Sequence, residues 1–328
     1  MTRVAINGLG RIGRTTFRQL LNRNDVQIVA VNDLQQIDVL QNLLTRDSVY
    51  GRIEHELTVD GETFKVGAHT IEVLSQREPS KLPWKRLDVD VVLDCTGLYK
   101  TYEQAHQHID SGAKRVLLSY PVGDDRVKNV VKGVNDSIIT AEDKIISNAS
   151  CTTNCASPVI KVLQENWGIE KGVLNTIHAY TADQRINDSA HKDLRRARAA
   201  AVNIIPTSTG AAKAVGRIFP ELKGMISGSA YRVPVITGSC VDLTVALNKS
   251  FTVEEVNAAL EEAANGPLKG ILQYSTEALV SSDIVASPYS SIFDSDLTTD
   301  ANGWLRIVSW YDNEFGYSTR MAEMCAML

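Results

Sequence analysis

The chain has few cysteines, no long apolar run and no excess of positive charge. Five cysteines in 328 residues are too sparse, and too odd in number, for a disulfide scaffold, so a reducing compartment is expected. No apolar stretch approaches the ~20 residues of a membrane-spanning helix. Met1 to Gly8 holds no hydrophobic leader core, and the expectation is a cytoplasmic protein without a membrane partner. Acidic residues outnumber basic ones, 39 to 34, for a net charge of −5, which argues against a nucleic-acid partner. There is no internal repeat and no Pro- or Ser-rich linker. No second Cys or His pair stands near Cys151 and Cys155 at ligand spacing, so no metal is expected. What remains is ordinary globular material, 44% hydrophobic and 22% charged, which excludes a disordered or low-complexity chain. At roughly 150 residues per domain, the length predicts two domains.

The first half alternates strand and helix signals. Arg3–Asn7 reads as a strand running into Gly8-Leu9-Gly10-Arg11-Ile12-Gly13. A helix follows with Phe17, Leu20 and Leu21 on one face, and Val26–Asp33 is a second apolar strand. Asp60-Gly61 between Leu57–Val59 and Thr63–Val66 reads as a hairpin. Apolar runs at 91–95, 115–119 and 144–147 complete the pattern of a doubly wound, mostly parallel sheet. Beyond residue 150 the texture changes. Val241, Leu243, Val245 and Leu247 alternate with Asp242, Thr244 and Ala246, the period of a half-buried antiparallel strand. Stretches 173–181, 228–234 and 305–312 are similar. The fold class is therefore α/β: a Rossmann-type sheet over 1–150 and an α+β domain with an antiparallel sheet over 151–312. The last helix, 313–328, is expected to pack back on the first domain.

The glycine motif matters through its context. It follows a strand, opens a helix and precedes Asp33 at the end of the next strand. Its glycines allow a tight turn, close approach of backbone to a pyrophosphate, and close helix–strand packing. The helix N-terminus offers free N–H groups to phosphates. A carboxylate at Asp33 accepts from a ribose 2′-OH and repels a 2′-phosphate, which favours NAD over NADP.

Cys151 falls where a strand end gives way to a helix, and the dipole there is expected to lower the thiol pKa. Cys155 shares a stripe with Val159, Val162 and Leu163, the position of a core residue. Cys95 and Cys325 read as structural, and Cys240 is unassigned. A nucleophilic cysteine requires a base. His106 and His108, in a polar helix, read as solvated. Between His178 and His191, spacing alone does not choose.

Taken together, these blocks resemble the phosphorylating glyceraldehyde-3-phosphate dehydrogenase family. The resemblance rests on residues 6–14, Ser147-Asn148-Ala149-Ser150-Cys151-Thr152-Thr153-Asn154-Cys155, Thr176-Ile177-His178-Ala179-Tyr180-Thr181, 191–201, 205–213 and Trp310-Tyr311-Asp312-Asn313-Glu314. It implies oxidation of D-glyceraldehyde 3-phosphate to 1,3-bisphosphoglycerate with NAD and inorganic phosphate, by a homotetramer. Cys151 would be the nucleophile and His178 its base. Thr181, Asp183 and Arg232 map onto the substrate-phosphate site. Ser150, Thr152, Thr209, Gly210 and Arg196 map onto the inorganic-phosphate site. Asn7, Gly8, Gly10, Arg11, Ile12, Gly13, Asp33, Arg77, Thr96, Ser119, Asn313 and Tyr317 map onto the cofactor site. Two departures stand out. Ser189-Ala190 replaces a usual Leu-Pro, as in members that accept NADP, and Tyr120-Pro121 replaces the common Ala-Pro. The alternatives are an erythrose-4-phosphate dehydrogenase, which hydrolyses the thioester, and an NADP-accepting variant of the same enzyme.

Overall fold

A computed structural model describes residues 1–328. It divides into two compact units, one of Met1–Val130, Asp136–Ala149 and Ser318–Leu328, the other of Val131–Asn135 and Ser150–Tyr317. The final helix, Phe315–Met327, thus starts in the second unit and finishes in the first.

The first unit is built on a nine-stranded sheet. Thr2–Asn7 lies at its middle, between Val26–Asn32 and Val91–Asp94, parallel to both. Arg115–Leu118, Ile145–Ser147 and Lys128–Asn129 extend one side in parallel. On the other side His69–Leu74 is parallel to Val26–Asn32, and the hairpin of Leu57–Asp60 and Thr63–Val66 closes the edge antiparallel. Gly61 takes φ of +59° in the hairpin turn, a conformation that glycine adopts without steric cost. The central strands are apolar on both faces: Val4, Ile6, Ile28, Val91 and Leu93 on one and Ala5, Ala30 and Val92 on the other are wholly buried, as crossover helices on both sides require. Trp84 packs with Ala5, Ala30, Val89 and Val92 on one of those faces.

The second unit holds a seven-stranded sheet. The expected antiparallel pairing holds for Ile169–Ala179 with Ser239–Leu247, and for Ser239–Leu247 with Trp304–Tyr311. Two pairings are parallel instead: Ile169–Ala179 with Ile226–Val233, and Leu272–Ser275 with Ser291–Asp300. The chain between Ala179 and Ile226 is long enough to cross over and return in the same direction, which no local hydrophobic pattern reveals. The helix Cys151–Asn166 lies against strands Ser291–Asp300 and Trp304–Tyr311 and against helices Ala211–Ile218 and Val253–Asn265. Its side chains from Thr152 to Ile160 are all buried, so the residue that opens it is held on a rigid element.

Candidate active site

In the first unit, Gly8 adopts φ of +93° where the central strand ends. A Cβ on Gly13 would stand 2.0 Å from the Gly8 carbonyl oxygen, so this helix packs against the turn only because Gly13 has no side chain. Gly10, the N-cap of helix Arg11–Leu20, is different. A Cβ there meets no protein atom within 4 Å, and no side chain caps the helix. Nothing in the fold itself requires glycine at this point. The open space adjoins a cleft of about 340 Å³ lined by Asn7, Gly8, Gly10, Asp33, Arg77 and Thr96 among others. The Asp33 carboxylate accepts from the Leu9 N–H at 2.7 Å and the Gln35 N–H at 3.0 Å, leaving lone pairs for a further donor. Leu34 and Leu98, also in the lining, are strongly exposed apolar side chains.

Other mapped cofactor residues have internal roles. Arg11 pairs with Asp47 and lies over the Tyr50 ring. Ile12, Gly13 and Ser119 are not in the lining of this cleft. Asn313 and Tyr317 are buried in the second unit, where Asn313 Oδ1 accepts from Ser239 Oγ at 2.9 Å. Asn7 is buried beneath the cleft, its amide donating to Asp94 Oδ2 at 2.7 Å and its carbonyl accepting from Asn32. Asp94 also accepts from Thr96 Oγ1 at 2.8 Å and Tyr120 Oη at 2.9 Å. Here His108 corrects the expectation of a solvated histidine: its side chain is fully buried and 3.3 Å from Asp94. The Trp84 indole N–H donates to His108 Nδ1 at 3.0 Å, so Nε2 carries the proton that faces Asp94. Its partners are distant in sequence, and the polar helix pattern concealed them.

The second unit brings Cys151 and His178 together. Ser150 caps helix Cys151–Asn166 by accepting from the Thr153 N–H at 3.1 Å. Cys151 Sγ then lies 3.5 Å from His178 Nε2. His178 Nδ1 is 2.6 Å from the Ala179 carbonyl oxygen. With the proton on Nδ1, donated to that carbonyl, Nε2 presents a lone pair to the thiol. Burial, with the charge of Arg232, drops the His178 pKa to about 3, which keeps the ring neutral. For Cys151 the structure corrects the expectation of a lowered pKa. Burial pushes its thiol up, and this outweighs the pull of Arg232 and of the Thr152 backbone and hydroxyl.

Sheet register explains the rest of the cluster. His178 and Arg232 are direct partners on parallel strands, which sets Arg232 Nη1 3.1 Å from the Ala179 carbonyl and 2.9 Å from His178 Nδ1. The Arg232 Nε is buried with no hydrogen-bond partner, a donor aimed at nothing within the protein. Tyr311, which the sequence reading left without a role, links both sides: its hydroxyl lies 2.9 Å from Thr152 Oγ1 and 2.9 Å from Thr176 Oγ1. Its ring meets the His178 ring edge-on at 5.9 Å. Thr152 is therefore engaged with Tyr311. Its place in the Trp-Tyr-Asp block was the only signal for Tyr311.

Of the mapped phosphate residues, Asp183 is already engaged within the protein. Its carboxylate pairs with Arg196 Nη1. Burial works against its charge, yet Arg196 and His191 hold its pKa below the usual range. Arg196 also donates to Thr207 Oγ1 at 2.9 Å and the Ser208 carbonyl at 3.2 Å. Thr181 bonds to Gln184. Thr209 accepts from the Ala211 N–H at 3.1 Å, and Gly210 opens helix Ala211–Ile218 with free space around it.

Comparison with known proteins is consistent along the chain. Residues 2–102 match the family model for the glyceraldehyde 3-phosphate dehydrogenase NAD binding domain, and 150–313 that for its C-terminal domain. A glyceraldehyde-3-phosphate dehydrogenase of Mycobacterium avium is 51% identical over 99% of this chain and 98% of its own length. The Mycolicibacterium smegmatis protein of that name is 50% identical over the same shares. Glyceraldehyde-3-phosphate dehydrogenase 2 of Streptomyces avermitilis is 51% identical over 98% of this chain and 97% of its own length.

Proposed function

This chain belongs to the glyceraldehyde 3-phosphate dehydrogenase family, and on that premise we propose that it converts D-glyceraldehyde 3-phosphate and inorganic phosphate to 1,3-bisphosphoglycerate. The observation that carries the reading is the thiol of Cys151, 3.5 Å from Nε2 of the His178 ring, which burial and the charge of Arg232 keep neutral. NAD is the cofactor, and the first unit fits it. The space beside Gly10 suits a pyrophosphate at a helix N-terminus, Asp33 suits the ribose diol, and Leu34 and Leu98 suit the adenine faces. Arg77 adds a positive charge at the same cleft. Bound NAD supplies the acceptor for the electron pair that leaves the substrate carbon.

The chain's own residues do the rest. Cys151 Sγ adds to the aldehyde carbon as its proton passes to His178 Nε2, held in the right tautomer by the Ala179 carbonyl. Oxidation leaves a thioester on Sγ, and attack by inorganic phosphate gives the acyl phosphate and returns the thiolate, a step for which a thioester keeps enough free energy. The unpartnered Nε of Arg232 and Thr181 hold the substrate phosphate. Arg196, Thr209, Gly210 and Ser150 receive inorganic phosphate, for which hydroxyls, N–H groups and a forked guanidinium are suited. The first unit serves the cofactor and the second the chemistry. The free thiols suit a cytoplasmic setting. The assembly is a homotetramer, a reading supported by the exposed apolar side chains of Ile186, Leu194, Val202 and Ile204 on one stretch of chain.

One assay tests the activity. Reduced nicotinamide should accumulate with glyceraldehyde 3-phosphate and NAD only when inorganic phosphate is present. Equal rates without phosphate would sink phosphorolysis. Faster turnover of erythrose 4-phosphate would assign the sister activity, and faster turnover with NADP would overturn the reading of Asp33.

A further inference from the structure

Between strands Ile169–Ala179 and Ile226–Val233 runs a loop whose polar side chains close into a ring. His191 is almost completely buried, 6% exposed at its side chain. Its Nδ1 lies 2.9 Å from the Asp193 backbone nitrogen and 3.1 Å from the Asp193 carbonyl oxygen, and its Nε2 faces Asp183 Oδ1 at 3.4 Å. The other Asp183 oxygen holds Arg196 Nη1. Arg196 Nε donates to Thr207 Oγ1, and the Thr207 hydroxyl donates onward to Asp193 Oδ2 at 2.7 Å. Asp193 Oδ1 accepts from the Arg195 N–H at 2.9 Å, and the circuit returns to His191 through the backbone.

This ring fixes the guanidinium at three atoms: Nε by Thr207, Nη1 by Asp183 and Nη2 by the Ser208 carbonyl. A guanidinium has five N–H donors, so two remain for an anion, in an orientation the loop has set in advance. The charge of the same guanidinium is felt at both Arg232 and His178. We propose that His191 and Asp183 are positioning residues that aim Arg196 at inorganic phosphate, and that Asp183 serves the phosphate nucleophile through Arg196 rather than touching the aldehyde substrate. The inference rests on the phosphorolytic reading above and assigns work within it: the ring governs capture of the second substrate, while Arg232 governs the first. A preformed fork loses less freedom when it binds a tetrahedral oxyanion than a mobile arginine does.

The test uses the full-length enzyme, with rates measured against inorganic phosphate at saturating aldehyde and NAD, then against aldehyde at saturating phosphate. Wild type must first show phosphate dependence; if it does not, the function fails before the ring is examined. Given that dependence, His191→Ala should raise the KM for phosphate about tenfold, in line with loss of a charge-assisted hydrogen bond. Its kcat at saturating phosphate and its KM for the aldehyde should stay within about twofold. His191→Gln, whose amide can still donate to Asp183, should recover most of the loss. Asp183→Asn should show the same phosphate-selective defect. A rise in the aldehyde KM equal to or larger than that for phosphate would overturn the assignment. So would variants that lose thermal stability with both KM values unchanged, since the ring would then be a structural clasp only.

Discussion

At His178 the nitrogen nearest Cys151 can accept a proton because the other is tied to the Ala179 carbonyl. Burial and Arg232 together take the pKa from 6.5 to about 3. The sign of the consequence follows from proton counting. Below pH 6.5 the unfolded chain protonates this ring and the folded one does not, so stability present above that pH is lost as pH falls towards 3. Replacing His178 with Gln should flatten the acid limb of stability by about 1.4 kcal/mol per pH unit. It should also lower kcat by about 10²-fold or more. Urea midpoints across that pH range, beside initial rates, check both; an unchanged acid slope would show that the ring is protonated when folded. Much at this scale was visible in the sequence. The block around Cys151 and the strand carrying His178 could be read as candidates, but choosing between His178 and His191 required sheet register, because the thiol and its partner ring are joined through space. Tyr311, 159 and 135 residues from the threonines it links, was beyond local reading for the same reason.

The turn from Thr2–Asn7 into helix Arg11–Leu20 separates two uses of glycine. Gly13 is needed by the fold, because a methyl there meets the Gly8 carbonyl oxygen at 2.0 Å. Gly10 is needed by nothing in the fold. Gly13→Ala should therefore cost about 3 kcal/mol in unfolding free energy, as overpacking against backbone does. Gly10→Ala should change stability by less than about 1 kcal/mol yet weaken NAD binding about tenfold or more, the loss of ~1.4 kcal/mol of affinity. Chemical denaturation and titration of NAD by fluorescence check the pair; full NAD affinity in Gly10→Ala would remove the pyrophosphate from this turn. Sequence pattern served well for such elements. The alternation of the first half and the hairpin at Asp60-Gly61 could be predicted because period and turn chemistry are local. The parallel pairing of Ile169–Ala179 with Ile226–Val233 was not, since strand direction depends on a crossover that hydrophobic period does not encode.

For the whole molecule, the exposed apolar side chains between Ile186 and Ile204 make the test of assembly. Ile186 is 89% exposed and Leu194 83%, and covering one such side chain contributes about 1.5–3 kcal/mol. Sedimentation should give the mass of four chains for the wild type, and Ile186→Asp with Leu194→Asp should shift it to smaller species. A wild-type monomer at micromolar concentration would refute the tetramer. The second sheet also bears on the order in which the protein is made. Tyr311 ties Thr152 on the nucleophile's helix to Thr176 on the base's strand, and it follows Thr176 by 135 residues. During synthesis the thiol therefore waits for a partner that is made long after it. A nascent chain that has not yet reached Tyr311 carries Cys151 and His178 without the tie between helix and strand that this hydroxyl makes.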